Sequence, residues 1–225
     1  ERVVRPVNEG VWLPQAHERS MWVWKTEEIV LDPRVQDRFF QFLKAPHGRS
    51  EAAITTLFFL PEWILSDTSP LRDSVLIPKL QEFIARATAE GIVVNYMNGV
   101  HDWRFRENHP SALAAVRRVL DYNEISPPES RFNGIHLDIE KVKDVRDEYM
   151  ELVRAIAAEI DSRDAGIALA FDLPPWLHDA RYEYLDEQVL DVADYIAFIR
   201  LERFASVADL VDAAAELYFQ PGTLT

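Results

Sequence analysis

Phe132-Asn133-Gly134-Ile135-His136-Leu137-Asp138-Ile139-Glu140 is the stretch that decides how this chain folds. From Ile135 onward apolar and polar residues alternate with period two, the mark of a β-strand. Alternate residues of a strand share a face, so His136, Asp138 and Glu140 point one way and Ile135, Leu137 and Ile139 the other. The neighbouring strand segments are almost wholly apolar, which places this one centrally in a parallel sheet covered on both sides. Three ionisable groups then lie inside, a costly arrangement unless they are paired or used.

Upstream, residues 20–24 (SMWVW), 53–60 (AITTLFFL) and 92–97 (IVVNYM) read as strands, and downstream so do 166–171 (GIALAF) and 195–201. Helical segments alternate with them. One runs over 32–43, with Asp32 as cap and Pro33 in its first position; another over 73–89 is stopped by Glu90-Gly91. Further helices are expected over 110–123, 145–160, 182–192 and 207–217. Strand and helix in strict alternation argue for a parallel α/β fold, taken as one domain over 1–225. A doubly wound sheet would carry a glycine-rich phosphate loop after an early strand, and with 7 glycines in the whole chain none is present. The expected architecture is therefore a TIM (β/α)8-type barrel. With six units visible where a full barrel takes ~250 residues, three readings stay open: a barrel incomplete at the C-terminus, one with a disordered end, or an unusual barrel.

Composition narrows the function classes. At 225 residues, 48% hydrophobic and 28% charged, the chain has the make-up of a globular protein, and no apolar run approaches the ~20 residues of a membrane span. The 24 basic against 38 acidic residues leave a net charge of −14, which opposes nucleic acid and anionic lipid and favours a neutral or cationic substrate. With no cysteine, disulfides and thiol-based zinc sites are excluded. The N-terminus lacks the basic-then-apolar pattern of a signal peptide, but a mature exported protein would look the same. A secreted or periplasmic setting is the preferred reading over a cytoplasmic one.

If the strand C-terminal ends share one mouth, that mouth collects Trp22, Trp24, Glu62, Trp63, Asn98, His101, Asp102, Trp103, Asp138, Glu140, Asp172, Trp176, Arg200 and Glu202. Tryptophan faces stack on the C–H surfaces of pyranose rings, and carboxylates and amides bind hydroxyls, so the mixture points to carbohydrate. The competing explanation is that aromatics plug the barrel mouth as ordinary core. A glycosidase needs a carboxyl of raised pKa to protonate the leaving oxygen. Glu140 is the expected acid, with Asp138 about 6.6 Å along the strand to help hold the proton and Asp172 as a second carboxylate. Trp24, Asn98, Trp103, His136, Asp172, Trp176 and Arg200 are the expected substrate-binding residues. Such hydrolysis requires no cofactor and no metal.

The segment 132–140 resembles the fourth-strand motif of glycoside hydrolase family 18, the chitinases and endo-β-N-acetylglucosaminidases, whose pattern is D-G-x-D-x-D-x-E. Gly134, Asp138 and Glu140 match; Asn133 and His136 stand where two of the aspartates are usual. The resemblance implies Glu140 as general acid/base and Asp138 as the group that orients an N-acetyl substituent, the substrate-assisted exception to two-carboxylate hydrolysis. That family's tyrosine after the sixth strand is here replaced by Leu201. The chain is also similar to bacterial barrel proteins of unassigned activity that share the strand G-I-H-L-D-[IV]-E.

Three other readings stay open on the residues alone. The acids can form a structural ion network neutralised by Arg200 or Lys141. His136, Asp138 and Glu140, with His101 or Asp172, can ligate a divalent metal in a barrel hydrolase or isomerase. The chain can also be a sugar-binding barrel without catalysis.

Overall fold

In the computed structural model, residues 11–14, 18–65, 72–163 and 165–198 are described. In chain order they form β1 (Ser20–Val23), α1 (Glu27–Leu31), α2 (Pro33–Lys44), β2 (Thr56–Phe59), α3 (Glu62–Leu65), α4 (Ile77–Ala89), β3 (Val93–Asn98), α5 (His109–Ile125), β4 (Gly134–Leu137), α6 (Arg146–Ser162), β5 (Ala168–Leu173), α7 (Leu185–Leu190) and β6 (Tyr195–Phe198). A π-helical turn, Arg72–Leu76, leads into α4. The helix expected over 207–217 and the last residues of the sixth strand lie outside the described residues.

Local chemistry accounts for several boundaries. Asp32 caps α2 by accepting from the Arg34 backbone N–H at 2.8 Å, with Pro33 in the first turn where its missing donor costs nothing. Gly91, at φ 75°, supplies the left-handed residue that ends α4 and turns the chain into β3. The central strand is shorter than its alternation suggests. It ends at Leu137, although the Asp138 N–H still donates to the Asn98 carbonyl at 2.9 Å.

All six strands pair in parallel, in sequential order from β1 to β6. The closed barrel expected from the sequence is not what they make: the sheet is an open half-barrel. Among the described residues β1 and β6 each pair on one side only, because six strands curve the sheet without supplying the eight that close such a ring.

Alternation divides the sheet into two faces. Leu57, Phe59, Val94, Ile135, Leu137, Leu169 and Phe171 face the helices, where they join Phe40, Leu80, Phe83, Val116, Leu152 and Ile156 in one buried core. Phe83 stacks on Phe59 at 4.6 Å and lies 5.5 Å from Phe40, tying α2 and α4 to β2. The other, concave face carries Trp22, Phe58, Asn95, Met97, His136, Ala170, Asp172 and Tyr195, as the strand registers require. Its floor is partly covered by Val11, Trp12 and Leu13 packing on Ala168, Ala170 and Tyr195. Among the described residues no helix is long and apolar enough to cross a membrane.

Candidate active site

The concave face is polar at its centre. His136 is fully buried and stacks on Phe58, with ring centroids 3.9 Å apart. Its Nε2 approaches Asp172 Oδ1 at 2.8 Å, an electrostatic contact whose angle is not that of a hydrogen bond. Asp172 is fully buried as well and accepts a 3.1 Å hydrogen bond from Trp22 Nε1 at its other oxygen. Trp22 belongs to β1 and Asp172 to β5, so this bond crosses the hollow of the sheet.

Asp138 and Glu140 lie one step toward the rim, past the end of β4. Asp138 is 7% exposed and Glu140 half-buried. Glu140 stands close enough to act on Asp138 through its charge and through hydrogen bonding. A bond between two carboxyls requires that one keep its proton. Three influences push Asp138 up to about 7: burial first, then the charges of Asp172 and Glu140 together with that hydrogen bond. All act in the same direction, which is the opposite of a neutralised ion network. Lys141 follows in a left-handed conformation, φ 51°, and turns the chain away while its own side chain faces solvent.

Trp24 comes after β1 and is 49% exposed. Its ring reaches across the mouth to Gly99, the residue after β3: a Cβ there would lie 3.1 Å from Trp24 Cη2 and 3.4 Å from Asp138 Oδ2. Trp24, Gly99, Asp138 and Glu140 therefore meet at the C-terminal ends of their strands, above His136 and Asp172.

Other expected residues lie elsewhere. Asn98 points to the helix side, where its Nδ2 donates to Tyr96 Oη at 2.8 Å and to Glu62 Oε2 at 3.0 Å. Trp103 is 5% exposed and part of the hydrophobic core. Trp63 donates to Thr26 Oγ1 at 2.7 Å and packs against that core. His101 is not among the groups that act on Asp138. The side chain of Trp176, and Arg200, Leu201 and Glu202 entirely, lie outside the described residues. Among the described residues no three His, Asp or Glu side chains are placed to hold a metal ion, since His136 turns to Asp172 below while Asp138 turns to Glu140 above.

Gly99 is the site residue that pattern reading passes over, and Trp22, already expected at the mouth, gains its partner Asp172 only from the structure. Trp22 sits in register with Phe58 on the concave face, a signal visible once strand pairing is known. Gly99 stands in an Asn-Gly dipeptide that reads as a turn.

Fold and site together define an open, all-parallel α/β half-barrel with two neighbouring carboxyls, Asp138 and Glu140, at the mouth. Comparison with known proteins places a likeness at one end of it. A model of the Atu0565 family matches residues 185–225. Uncharacterized protein R00649 of Rhizobium meliloti (strain 1021) is 60% identical over 37 residues, 16% of this chain and 25% of that protein. Uncharacterized protein Atu0565 of Agrobacterium fabrum (strain C58 / ATCC 33970) is 54% identical over 37 residues, 16% of this chain and 26% of that protein. The chain thus spans about a quarter of the length of the curated relatives it matches. No solved structure matches.

These findings overturn the resemblance to glycoside hydrolase family 18. The family that matches is Atu0565, and none of the matches points to family 18. The resemblance rested on nine residues, two of them substituted at positions where the motif carries aspartate, and a strand end rich in acids is too short a pattern to define a family. The matched segment begins at α7, after the acid pair, so the likeness does not include Asp138 or Glu140.

Proposed function

We propose that this chain is a glycoside hydrolase whose Asp138–Glu140 pair supplies the proton that releases the leaving alcohol. The observation that carries this reading is the placement of Asp138 and Glu140 together at the mouth past the end of β4, where burial first and the neighbouring acids next raise Asp138 to about 7. At neutral pH such a pair retains one proton, the state a general acid needs. Glu140, half-buried and nearer solvent, delivers it to the glycosidic oxygen; Asp138, behind it, keeps it from being lost. The bond from anomeric carbon to oxygen breaks, the alcohol departs with the proton, and water adds to the sugar and returns a proton to the pair.

Paired carboxyls within hydrogen-bond reach are too close to stand on opposite sides of a sugar ring, which takes about 5–5.5 Å for retention and 6.5–9.5 Å for inversion. They act as one proton-holding unit. Asp172, buried beneath and engaged by Trp22 and His136, supports the proton affinity of Asp138 and does not reach substrate. Release of reducing ends from a panel of neutral oligosaccharides tests the reading. Glu140→Gln should lower turnover by about 10²–10⁴-fold with saccharide binding retained. Turnover in the wild type should fall as pH rises through about 7, where the pair loses its last proton. A wild-type protein that releases nothing from the panel, or a Glu140→Gln protein of undiminished turnover, defeats it.

A further inference from the structure

We infer that His178 and Asp186 form a second acid–base centre, an aspartate-oriented imidazole that draws a proton from water for attack on a neutral carboxylic ester. The inference goes beyond the glycosidic reading of Asp138 and Glu140 and uses neither residue.

His178 lies in the segment between β5 and α7, and Asp186 in the first turn of α7. The imidazole Nδ1 is 2.8 Å from Asp186 Oδ2. The two side chains differ sharply in access: the imidazole is 60% exposed and the carboxyl 5%. Nε2 has no partner among the described residues and is not one of their buried atoms, so it is the nitrogen that meets solvent. An ionised carboxylate only accepts, so Nδ1 carries the hydrogen and the lone pair of the neutral ring sits on Nε2. The result is a base turned outward, its tautomer fixed from behind.

The backbone is strained where it makes this pair. Glu183 and Tyr184, between the two residues, both take left-handed φ values, 53° and 52°, which neither residue type favours. An ion pair of Glu183 with Arg146 at 2.5 Å and a 2.8 Å hydrogen bond from Gln188 Nε2 to the Glu183 carbonyl hold that turn. Asp179, next to His178 in sequence, is engaged by Arg181 at 2.9 and 3.0 Å, which leaves the imidazole to Asp186. Asp186 Oδ1 is buried without a partner. A sunken carboxylate so short of partners gains most when the ring beside it turns cationic, as it does once Nε2 has taken a proton. In the reaction, Nε2 accepts that proton as the water oxygen bonds to the ester carbonyl carbon. The tetrahedral adduct then expels the alcohol, to which Nε2 returns the proton, leaving acid and alcohol. Tyr184, 43% exposed and edge-on to the imidazole at 5.6 Å, gives the substrate an apolar wall. The net charge of −14 favours a neutral ester over an anionic one.

Hydrolysis of p-nitrophenyl acetate and p-nitrophenyl butyrate by the full chain tests the centre. Turnover should exceed that of free imidazole at equal concentration, slow in heavy water and build up no acyl-imidazole, the marks of base catalysis rather than nucleophilic attack. His178→Gln should lower it by about 10²-fold or more. Asp186, a positioning residue, should give a comparable loss as Asp186→Asn, because the amide no longer fixes the tautomer. Heteronuclear NMR of His178 in the wild type, which needs no variant to fold, should find the hydrogen of the neutral ring on Nδ1. Turnover no greater than free imidazole supplies, a His178→Gln protein of undiminished turnover, or hydrogen on Nε2 of the neutral ring overturns the inference. If both variants lose stability and the wild type hydrolyses neither ester, the pair only staples the loop and the inference is likewise overturned.

Discussion

Asp138 concentrates the chemistry of the molecule in one side chain. Burial beside Asp172 and Glu140 raises its pKa from the ordinary carboxylate value to about 7, so the folded chain holds a proton that the unfolded chain releases near pH 4. Between those values the native state binds more protons than the unfolded one, and stability falls as pH rises. The penalty is absent below about 4 and complete above about 7. Asn cannot ionise, so Asp138→Asn should flatten that slope and raise the melting temperature at pH 8 by at least ~2–4 °C, the shift of 1 kcal/mol in a domain of this size. Thermal melts from pH 4 to 8 measure it. A parallel slope in wild type and variant would mean that Asp138 ionises normally.

At the level of paired elements, the contact between β3 and β4 explains a glycine. Gly134 lies opposite Asn95, and a Cβ there would meet Asn95 Oδ1 at 2.5 Å, closer than side chains tolerate. Gly134→Ala should therefore cost about 1–3 kcal/mol through overpacking. Asn95→Ala in the same chain should return most of that, since the clashing amide is gone. Equilibrium urea unfolding of the two single variants and the double variant gives the coupling directly. Additive losses would show that the Gly134 backbone, not the space above it, is what glycine serves.

Across the whole molecule, curvature brings distant strands together on the concave side. The Trp22–Asp172 hydrogen bond joins strands that are first and fifth in the sheet. Trp22→Phe keeps most of the packing on Phe58 and removes the only N–H the indole offers. It should destabilise the fold by about 1–3 kcal/mol, the cost of leaving a buried acceptor short of a partner, measured by denaturant unfolding. Because Asp172 acts on Asp138, the same variant should also move the alkaline limb of turnover upward in pH. Unchanged stability and an unmoved limb would detach β1 from the site.

Sequence alone determined the parallel α/β class, the six strands and most helix positions, because period-two and amphipathic patterns, Pro33 and Gly91 act over a few neighbouring residues. It also set Asp138 and Glu140 two residues apart, a spacing that keeps them neighbours even though the strand stops at Leu137. Only the tertiary structure decided that the sheet formed by the described residues is open, since closure depends on strand number and on curvature summed over many strands. The same holds for side-chain company: Asn98 and Trp103 end among the helices, and Trp22 turns out to serve Asp172. A residue's partners are set by pairing register and curvature, which join positions as far apart in sequence as Trp22 and Asp172, a relation that no local pattern records.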